Sequence, residues 1–339
     1  MTQATPKASV IQEKSTAGTA NLVGRIFRTR EIGVLAALFV LCVVMSFGSP
    51  YFLKTQNIFN VLRGMSTTGI MAIGMTMVIV SGGIDLSVGS VAAVSAMLTA
   101  RLMTYHHMSP WLSFACGILM GLLLGAVNGF IITRIKVNPF ITTLGMMSVA
   151  RGLTYLLATG LEGTVASNIP MRNPQVNFLG AGYIGVVPFP VIEMVALVTI
   201  FSIFLQHFVL GRQIYAVGSN EQAARLSGVN VANVRLFVYT LLGGLAALSG
   251  VMGAGLLSTA PTNLGTGNEL DVIAAVVIGG ASLSGGEGTI LGAVIGAAIM
   301  AVIRNAFVLL KLPIYMQTVT IGVVIIIAVA LDQLRKRSS

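Results

Sequence analysis

The chain has 339 residues, of which 55% are hydrophobic and only 9% charged. Soluble domains carry about 25% charged residues, so this composition excludes an ordinary soluble enzyme or binding module and points to a polytopic membrane protein. The net charge of +10 is read as basic residues flanking spans on the cytoplasmic side, with no nucleic acid as partner.

In chain order, residues 1–30 are polar, with Lys7, Lys14, Arg25, Arg28 and Arg30, and read as a disordered cytoplasmic N-terminal tail. The apolar run 32–49 follows that basic flank. It is longer than a signal-peptide core and precedes more spans, so it reads as an uncleaved first span. Further runs lie at 58–80, 88–105, 110–132, 138–158, 188–208, 234–257, 269–283, 288–310 and 315–332. A crossing helix needs about 20 residues. Arg63 interrupts 58–80 and 269–283 is short, so the count is ten, or nine with one re-entrant run. The expected fold is an all-α polytopic membrane domain over 31–333, with a cytoplasmic C-terminal tail at 334–339.

Lys and Arg set the orientation. With the N-terminus inside, the N-terminal tail, the turn at 133–138, the loop at 209–235 and the C-terminal tail hold 13 of the 20 basic residues. The loop 159–187 then faces outward, with Glu162 and Arg172 its only charges and Pro-flanked turns at Pro170, Pro174 and Pro188.

Two blocks suggest an internal repeat. Gly82–Gly89 matches Gly279–Gly286 at five of eight positions, at an offset of 197. Asn128–Arg134 aligns with Asn305–Lys311 at an offset of 177, where Thr143 and Gly145 also meet Thr320 and Gly322. Units that start an odd number of spans apart are inverted across the membrane, an arrangement many transporters use.

The polar stretch Gly211–Arg235 separates the two apolar halves. Ser219-Asn220-Glu221-Gln222 carries an S-x-x-Q capping pattern, so a short helix is expected to start at Asn220 or Glu221. Ala223, Ala224, Arg225 and Leu226 continue it, Gly228 can end it in the left-handed conformation, and Asn230 caps the next helix. Seven or eight residues are marginal as a helix alone in water, so this one must dock. Ala223 and Ala224 offer a small face to a partner groove. From the residues alone, docking on another protein and packing on the chain's own spans both stand.

Gly82–Ser90 interrupts hydrophobicity with glycines and Asp85. One reading is a hinge or pathway element made by Gly82, Gly83, Asp85 and Ser87, with Gly279, Gly280 and Ser284 as repeat mates. The other is a cytoplasmic turn with Asp85 as helix N-cap. Leu283-Ser284-Gly285-Gly286-Glu287 resembles the signature loop of ATP-binding-cassette ATPases, but no G-x-x-x-x-G-K-[ST] phosphate loop exists in the chain. Energy is therefore expected from another subunit. Cys42 and Cys116 lie inside apolar runs, and His106, His107 and His207 lack ligand spacing, so no disulfide framework, metal site or catalytic residue is expected. Glu193, Glu269 and Asp271 fall near span ends, with Asp271 a candidate helix cap. Arg151 and Arg304 lie deeper and either pair inside the bundle or snorkel.

Four motifs together resemble the ribose-type sugar permeases of bacterial ATP-binding-cassette (ABC) importers: Gly74–Ser90, Pro139–Gly145, Ala216–Val231 and Glu269–Gly280. The resemblance spans about residues 32–333. It implies a type II ABC importer-like fold in the cell inner membrane, with both termini cytoplasmic. It also implies that Ser219, Asn220, Glu221, Ala223, Ala224, Arg225 and Gly228 form the loop inserted into a cleft of the ABC ATPase subunit. A periplasmic sugar-binding protein would deliver a ribose-like monosaccharide, a second permease copy would complete the pathway, and ATP and Mg would be bound by the ATPase, with no cofactor in this chain. The alternative is a stand-alone secondary carrier or facilitator for a small polar solute.

Overall fold

The computed structural model describes residues 30–160 and 163–338. Residues 1–29 of the expected N-terminal tail and Glu162 therefore lie outside the described residues. The helices are α1 (Arg30–Gly48), α2 (Thr55–Val80), α3 (Val88–Thr104), α4 (Pro110–Phe130), α5 (Pro139–Ala158), α6 (Pro174–Ala181), α7 (Phe189–His207), α8 (Val209–Ser219), α9 (Glu221–Leu226), α10 (Val231–Leu257), α11 (Asn268–Ile278), α12 (Ile290–Leu309) and α13 (Ile314–Ser338). Each of the ten apolar runs contains a helix, the run 269–283 only as far as Ile278. Seven of the helices are long and apolar enough to cross a membrane. The segment expected as a C-terminal tail is helical as far as Ser338.

Local chemistry sets many of the boundaries. Pro110, Pro139 and Pro174 open helices where a missing N–H costs nothing. Asn138 accepts from the Phe140 amide at 2.9 Å and Thr289 Oγ1 from the Gly292 amide at 3.1 Å, capping α5 and α12. After α4 a single π-helical turn, Ile131–Ile135, ends on Lys136 at φ +64°, which reverses the chain into α5.

The connections and contacts fix the direction of each helix. α2 ends where Val80 meets the C-terminal turn of α8, and the Thr289 hydroxyl just before α12 bonds Glu31 at the start of α1. One end of the bundle therefore carries α8 and α9. Helices α1, α3, α5, α10 and α12 run away from it, and α2, α4, α7, α11 and α13 run toward it.

The long helices form two inverted copies. α2 and α10 end at Val80 and Leu257, 177 residues apart and pointing opposite ways. α3, α4 and α5 follow α2 as α11, α12 and α13 follow α10. Packing repeats too: α10 lies on α4 as α2 lies on α12, and α3 lies on α5 as α11 lies on α13. The 177 offset between Asn128 and Asn305 is thus the structural repeat. The 197 match is not, because Gly82–Gly89 links α2 to α3 whereas Gly279–Gly286 links α11 to α12, a different connection.

Each copy contains a stretch of non-helical backbone inside the bundle: residues 81–87 before α3 and 258–267 before α11. They make up for two short helices of 17 and 11 residues. Non-helical backbone at membrane depth persists only where protein or trapped water satisfies it. In the first leg the Ile84 carbonyl accepts from the buried Tyr239 hydroxyl at 3.2 Å. In the second, Arg151 Nη1 donates to the carbonyls of Thr262 and Leu264, both at 2.9 Å. Arg151 is thus held inside the bundle by backbone carbonyls, with the Glu269 charge near it, rather than snorkelling. The second leg meets the first turn of α3, where a Cβ on Gly89 would strike the Gly265 carbonyl and one on Gly265 the Gly89 carbonyl.

In lipid the hydrophobic effect cannot draw helices together, so small residues must let them approach. Gly121 and Gly243 each press on the other's carbonyl where α4 crosses α10. α2 runs through the middle, with every residue from Gly69 to Val80 buried.

At the end opposite α9, the loop expected at 159–187 contains more structure than its prolines suggested. β1 (Asn168–Pro170) pairs antiparallel with β4 (Thr259–Pro261), which follows α10, while β2 (Tyr183–Ile184) pairs with β3 (Val187–Pro188). α6 packs against α10, Gly180 lying on the Met252 carbonyl. Asp271 does not cap α11, whose N-cap is Gly267. It is buried and paired with Arg304 of α12.

Removing one member of a buried pair leaves an uncompensated charge, whereas replacing both with apolar groups is often neutral. Only the Asp271 side of this pair is buried, Arg304 being 41% exposed, so Arg304→Met should destabilise the detergent-solubilised protein by about 1–3 kcal/mol, and Asp271→Leu/Arg304→Met should recover most of that loss, as read by thermal unfolding.

Candidate functional site

The polar loop between the halves forms α8 and α9. Asn220, not Ser219, is the N-cap of α9: its Oδ1 accepts from the Ala223 amide at 2.9 Å. The helix closes as expected on Gly228, at φ +84°. The Gly228 amide donates to the Arg225 carbonyl and the Val229 amide to the Ala224 carbonyl, both at 3.0 Å, a Schellman closure that needs the left-handed residue. Asn230 then caps α10 by accepting from the Asn233 amide at 3.1 Å.

Glu221 ties the helix to its neighbours. Oε1 accepts from Arg225 at 2.6 Å, one turn along, and Oε2 from Arg235 of α10 at 2.9 Å. Partial burial pushes the Glu221 carboxyl up, but Arg235 and Arg225 outweigh it and hold it below the usual carboxylate range. The expected face of two alanines is half correct. Ala224 is buried against the chain itself, while Ala223 is exposed. Leu226, which the sequence reading did not single out, is 91% exposed at the helix end. An apolar side chain fully presented on a polar loop was the available signal.

Below α9, the last turn of α8 sits on both copies of the repeat. A Cβ on Gly218 would fall onto the Val80 carbonyl, at the start of the first leg, and within 2.7 Å of the Gly286 amide, in the loop before α12. The Gly286 amide itself donates to the Val80 carbonyl at 2.8 Å, and the Tyr215 hydroxyl of α8 donates to the Gly288 carbonyl at 2.7 Å. The signature-like stretch 283–287 is therefore a turn beneath α8, with Gly285 and Gly286 at positive φ packed on Gly218 and Ser219.

The hinge candidates gather at this end of the bundle. Gly82 is exposed and lies 3.9 Å from Arg235 Nη2, measured to its would-be Cβ. Gly83 is buried with no room beside the Tyr239 hydroxyl. Asp85 is not the N-cap of α3, a position held by Ser87. Its Oδ1 accepts from the Ser87 amide at 2.7 Å and hydroxyl at 2.6 Å, and Oδ2 from Asn128 Nδ2 at 3.3 Å. Gly279 presses on Gly292 where α11 crosses α12, Gly280 turns the chain at φ +94°, and Ser284 is exposed. Thus Gly82, Gly83 and Asp85 meet α10 and α4, whereas Gly279 belongs to a different crossing. A cavity of about 380 Å³ opens beside α9, bounded by Gly82, Lys136, Asn138, Glu221, Arg225 and Arg235, with three cations to one carboxylate.

Taken together, α9 is a capped, ion-paired helix with an exposed apolar tip, and it is coupled through Gly218 to backbone of both repeats. The arrangement links a surface helix to backbone of both halves. Among the described residues there is no group of His, Cys, Asp or Glu able to hold a metal ion.

Residues 57–329 match the family model described as "Branched-chain amino acid transport system / permease component". The ribose import permease protein of Bacillus subtilis strain 168 is 41% identical over 310 residues, covering 91% of this chain and 94% of the relative. That of Escherichia coli K12 is 40% identical over 318 residues, covering 93% and 98%. The L-arabinose ABC transporter permease protein of Azospirillum brasilense is 33% identical over 335 residues, covering 99% and 95%.

The Gly218 contact allows no side chain without moving backbone. Gly218→Val should lower stability by about 1–3 kcal/mol through overpacking, measured by thermal unfolding of the purified protein, while Ser219→Ala, which leaves the Asn220 cap intact, should stay within about 0.5 kcal/mol.

Proposed function

We propose the following role for a chain that belongs to the branched-chain amino acid transport system permease family: it is the membrane-spanning permease subunit of an ABC importer, and its cargo is a small sugar. The observation that carries the cargo reading is the likeness, over nearly the full length of both chains, to ribose import permeases. A stand-alone carrier is not favoured, since these relatives are import permeases along their whole length and an L-arabinose ABC permease aligns equally completely. The chain is a multi-pass membrane protein acting as a transport subunit rather than an enzyme.

The finer reading is as follows. The α9 end faces the cytoplasm of a cell with this chain in its inner membrane, which puts Arg134, Lys136, Arg212, Arg225 and Arg235 inside. The ATPase subunit receives α9 in a cleft, with Leu226 as apolar anchor and the basic cavity beside it facing acidic groups of the partner. ATP and Mg reside in that subunit. A periplasmic binding protein hands the sugar to the opposite end, where β1–β4 and α6 form the surface, and two permease copies complete the pathway.

The geometry accounts for coupling. Movement of the ATPases displaces α9, whose Glu221–Arg235 pair carries the start of α10 with it. Through Gly218 and Tyr215 the same movement reaches Val80 and Gly288, hence α2 and α12. Because the repeats are inverted, a shift that opens one face closes the other.

In proteoliposomes holding the complete transporter, Glu221→Ala and Leu226→Asp should each cut sugar uptake at least about tenfold, the scale of one lost interaction worth about 1.4 kcal/mol, while permease insertion is unchanged and ATP hydrolysis no longer responds to loaded binding protein. Normal uptake in both variants would remove the coupling assignment; uptake by the permease alone, without the ATPase, would remove the importer reading.

A further inference from the structure

A cavity of about 260 Å³ lies between α2, α12 and α13 near the end opposite α9. Its polar wall is Asn60, Thr68, Arg304, Asn305 and Gln317, with exposed Gly64 beside them. Five polar side chains gather at this opening, Asn60 exposed and the others half-buried, which marks a wet, ligand-accessible groove rather than a lipid face.

The inverted repeat supplies a control. Shifted by 177 residues, the positions of Asn60, Gly64 and Thr68 become Phe237, Leu241 and Leu245, and those of Arg304 and Gln317 become Val127 and Phe140. Only Asn305 keeps its type, as Asn128. The same packing in the other copy is therefore built from apolar residues, so polarity here is not a requirement of the fold.

The groups also define the ligand. The Asn60 and Gln317 amides and the Thr68 hydroxyl have no hydrogen-bond partner among the described residues. Asn305 is fixed by a reciprocal amide pair with Asn57, at 3.0 and 2.7 Å. The Arg304 charge is already balanced by Asp271, yet its Nε is buried and unpartnered. No carboxylate lines the wall. An anion would find its cation already paired, and an amino acid would find no partner for its ammonium. Amides and a hydroxyl both donate and accept, as sugar hydroxyls do. The volume falls below the roughly 300–1,000 Å³ of drug-sized sites, in keeping with a solute of monosaccharide size.

The geometry points to this cavity as a receiving subsite for a neutral polyhydroxylated solute, occupied as cargo leaves the binding protein. This deepens the sugar-importer reading and rests on it. Gly64 offers a clean test, because a Cβ there meets nothing within 4 Å. Gly64→Leu occupies the cavity without changing any polar side chain, and Gly64→Ala controls for the helix. In the complete reconstituted transporter, Gly64→Leu should lower ribose uptake at least about tenfold, and Asn60→Leu should do so by about five- to tenfold, as for one lost hydrogen bond at a desolvated site. Stimulation of ATP hydrolysis by loaded binding protein should persist within about twofold in both, and Gly64→Ala should behave as wild type. Independently, Gly64→Cys in a Cys42→Ala/Cys116→Ala background should react with a small membrane-impermeant methanethiosulfonate added on the side opposite α9. Wild-type uptake in Gly64→Leu and Asn60→Leu, or a thiol reached only by lipid-soluble reagent, overturns the subsite while leaving the importer reading intact. Absence of ribose uptake by the wild-type complex would instead strike the cargo assignment itself.

Discussion

The structure depends on one constraint: backbone polar groups inside a bilayer must find partners within the protein. The chain leaves helical geometry twice at depth, and each departure is held by a side chain from a different helix. Tyr239 of α10 holds the first leg at Ile84. Arg151 of α5 holds the second at Thr262 and Leu264. These ties explain why a Tyr is buried without exposure and why an arginine lies deep in an apolar helix. Just beyond the first leg, Gly89 at the start of α3 meets Gly265 of the second, so that the two copies share this contact. The cost of the non-helical backbone is met by groups that bind the two halves to one another.

From that centre, the sequence of contacts leads outward to α9. The helix has six residues and would not persist alone in water. Its Asn220 cap, its Schellman closure and two arginines on Glu221 hold it as one compact unit. Beneath it, Gly218 admits no side chain because it lies against Val80 and Gly286. Force applied to a short surface helix therefore arrives at backbone, not at flexible side chains, which is what rigid transmission requires.

Departures from the internal symmetry are as informative as the symmetry. Both copies share the long helix, the non-helical leg and the short helix. They differ in what decorates them. One copy keeps apolar side chains there, half-buried Phe237 and exposed Val127. The other places Asn60, Arg304 and Gln317 at the equivalent positions, at the end opposite α9. Asn128 and Asn305 occupy matching sites but serve differently: one binds Asp85 and Ser87, the other pairs with Asn57. A duplicated scaffold has thus been specialised at its two ends.

Composition, hydropathy and Pro, Asn and Gly signals were enough to read a polytopic helical protein, all ten apolar runs and the short capped helix at 221–226, because those properties follow from local backbone chemistry and from the mismatch of apolar side chains with water. The 177 offset was legible as well, in Asn128 with Asn305 and Thr143 with Thr320. The competing 197 match was not separable from it, since Gly-rich turns look alike wherever they occur. Which turn corresponds to which is decided by helix direction, and direction is a property of the assembled bundle. The pairing of Asp271 with Arg304, the burial of Ala224, the strand that joins residues 168–170 to 259–261 and the wedge of Gly218 between Val80 and Gly286 all link positions tens to hundreds of residues apart. No local pattern encodes those distances. They exist only once the two inverted halves have packed, because packing alone determines which polar groups are left to satisfy each other.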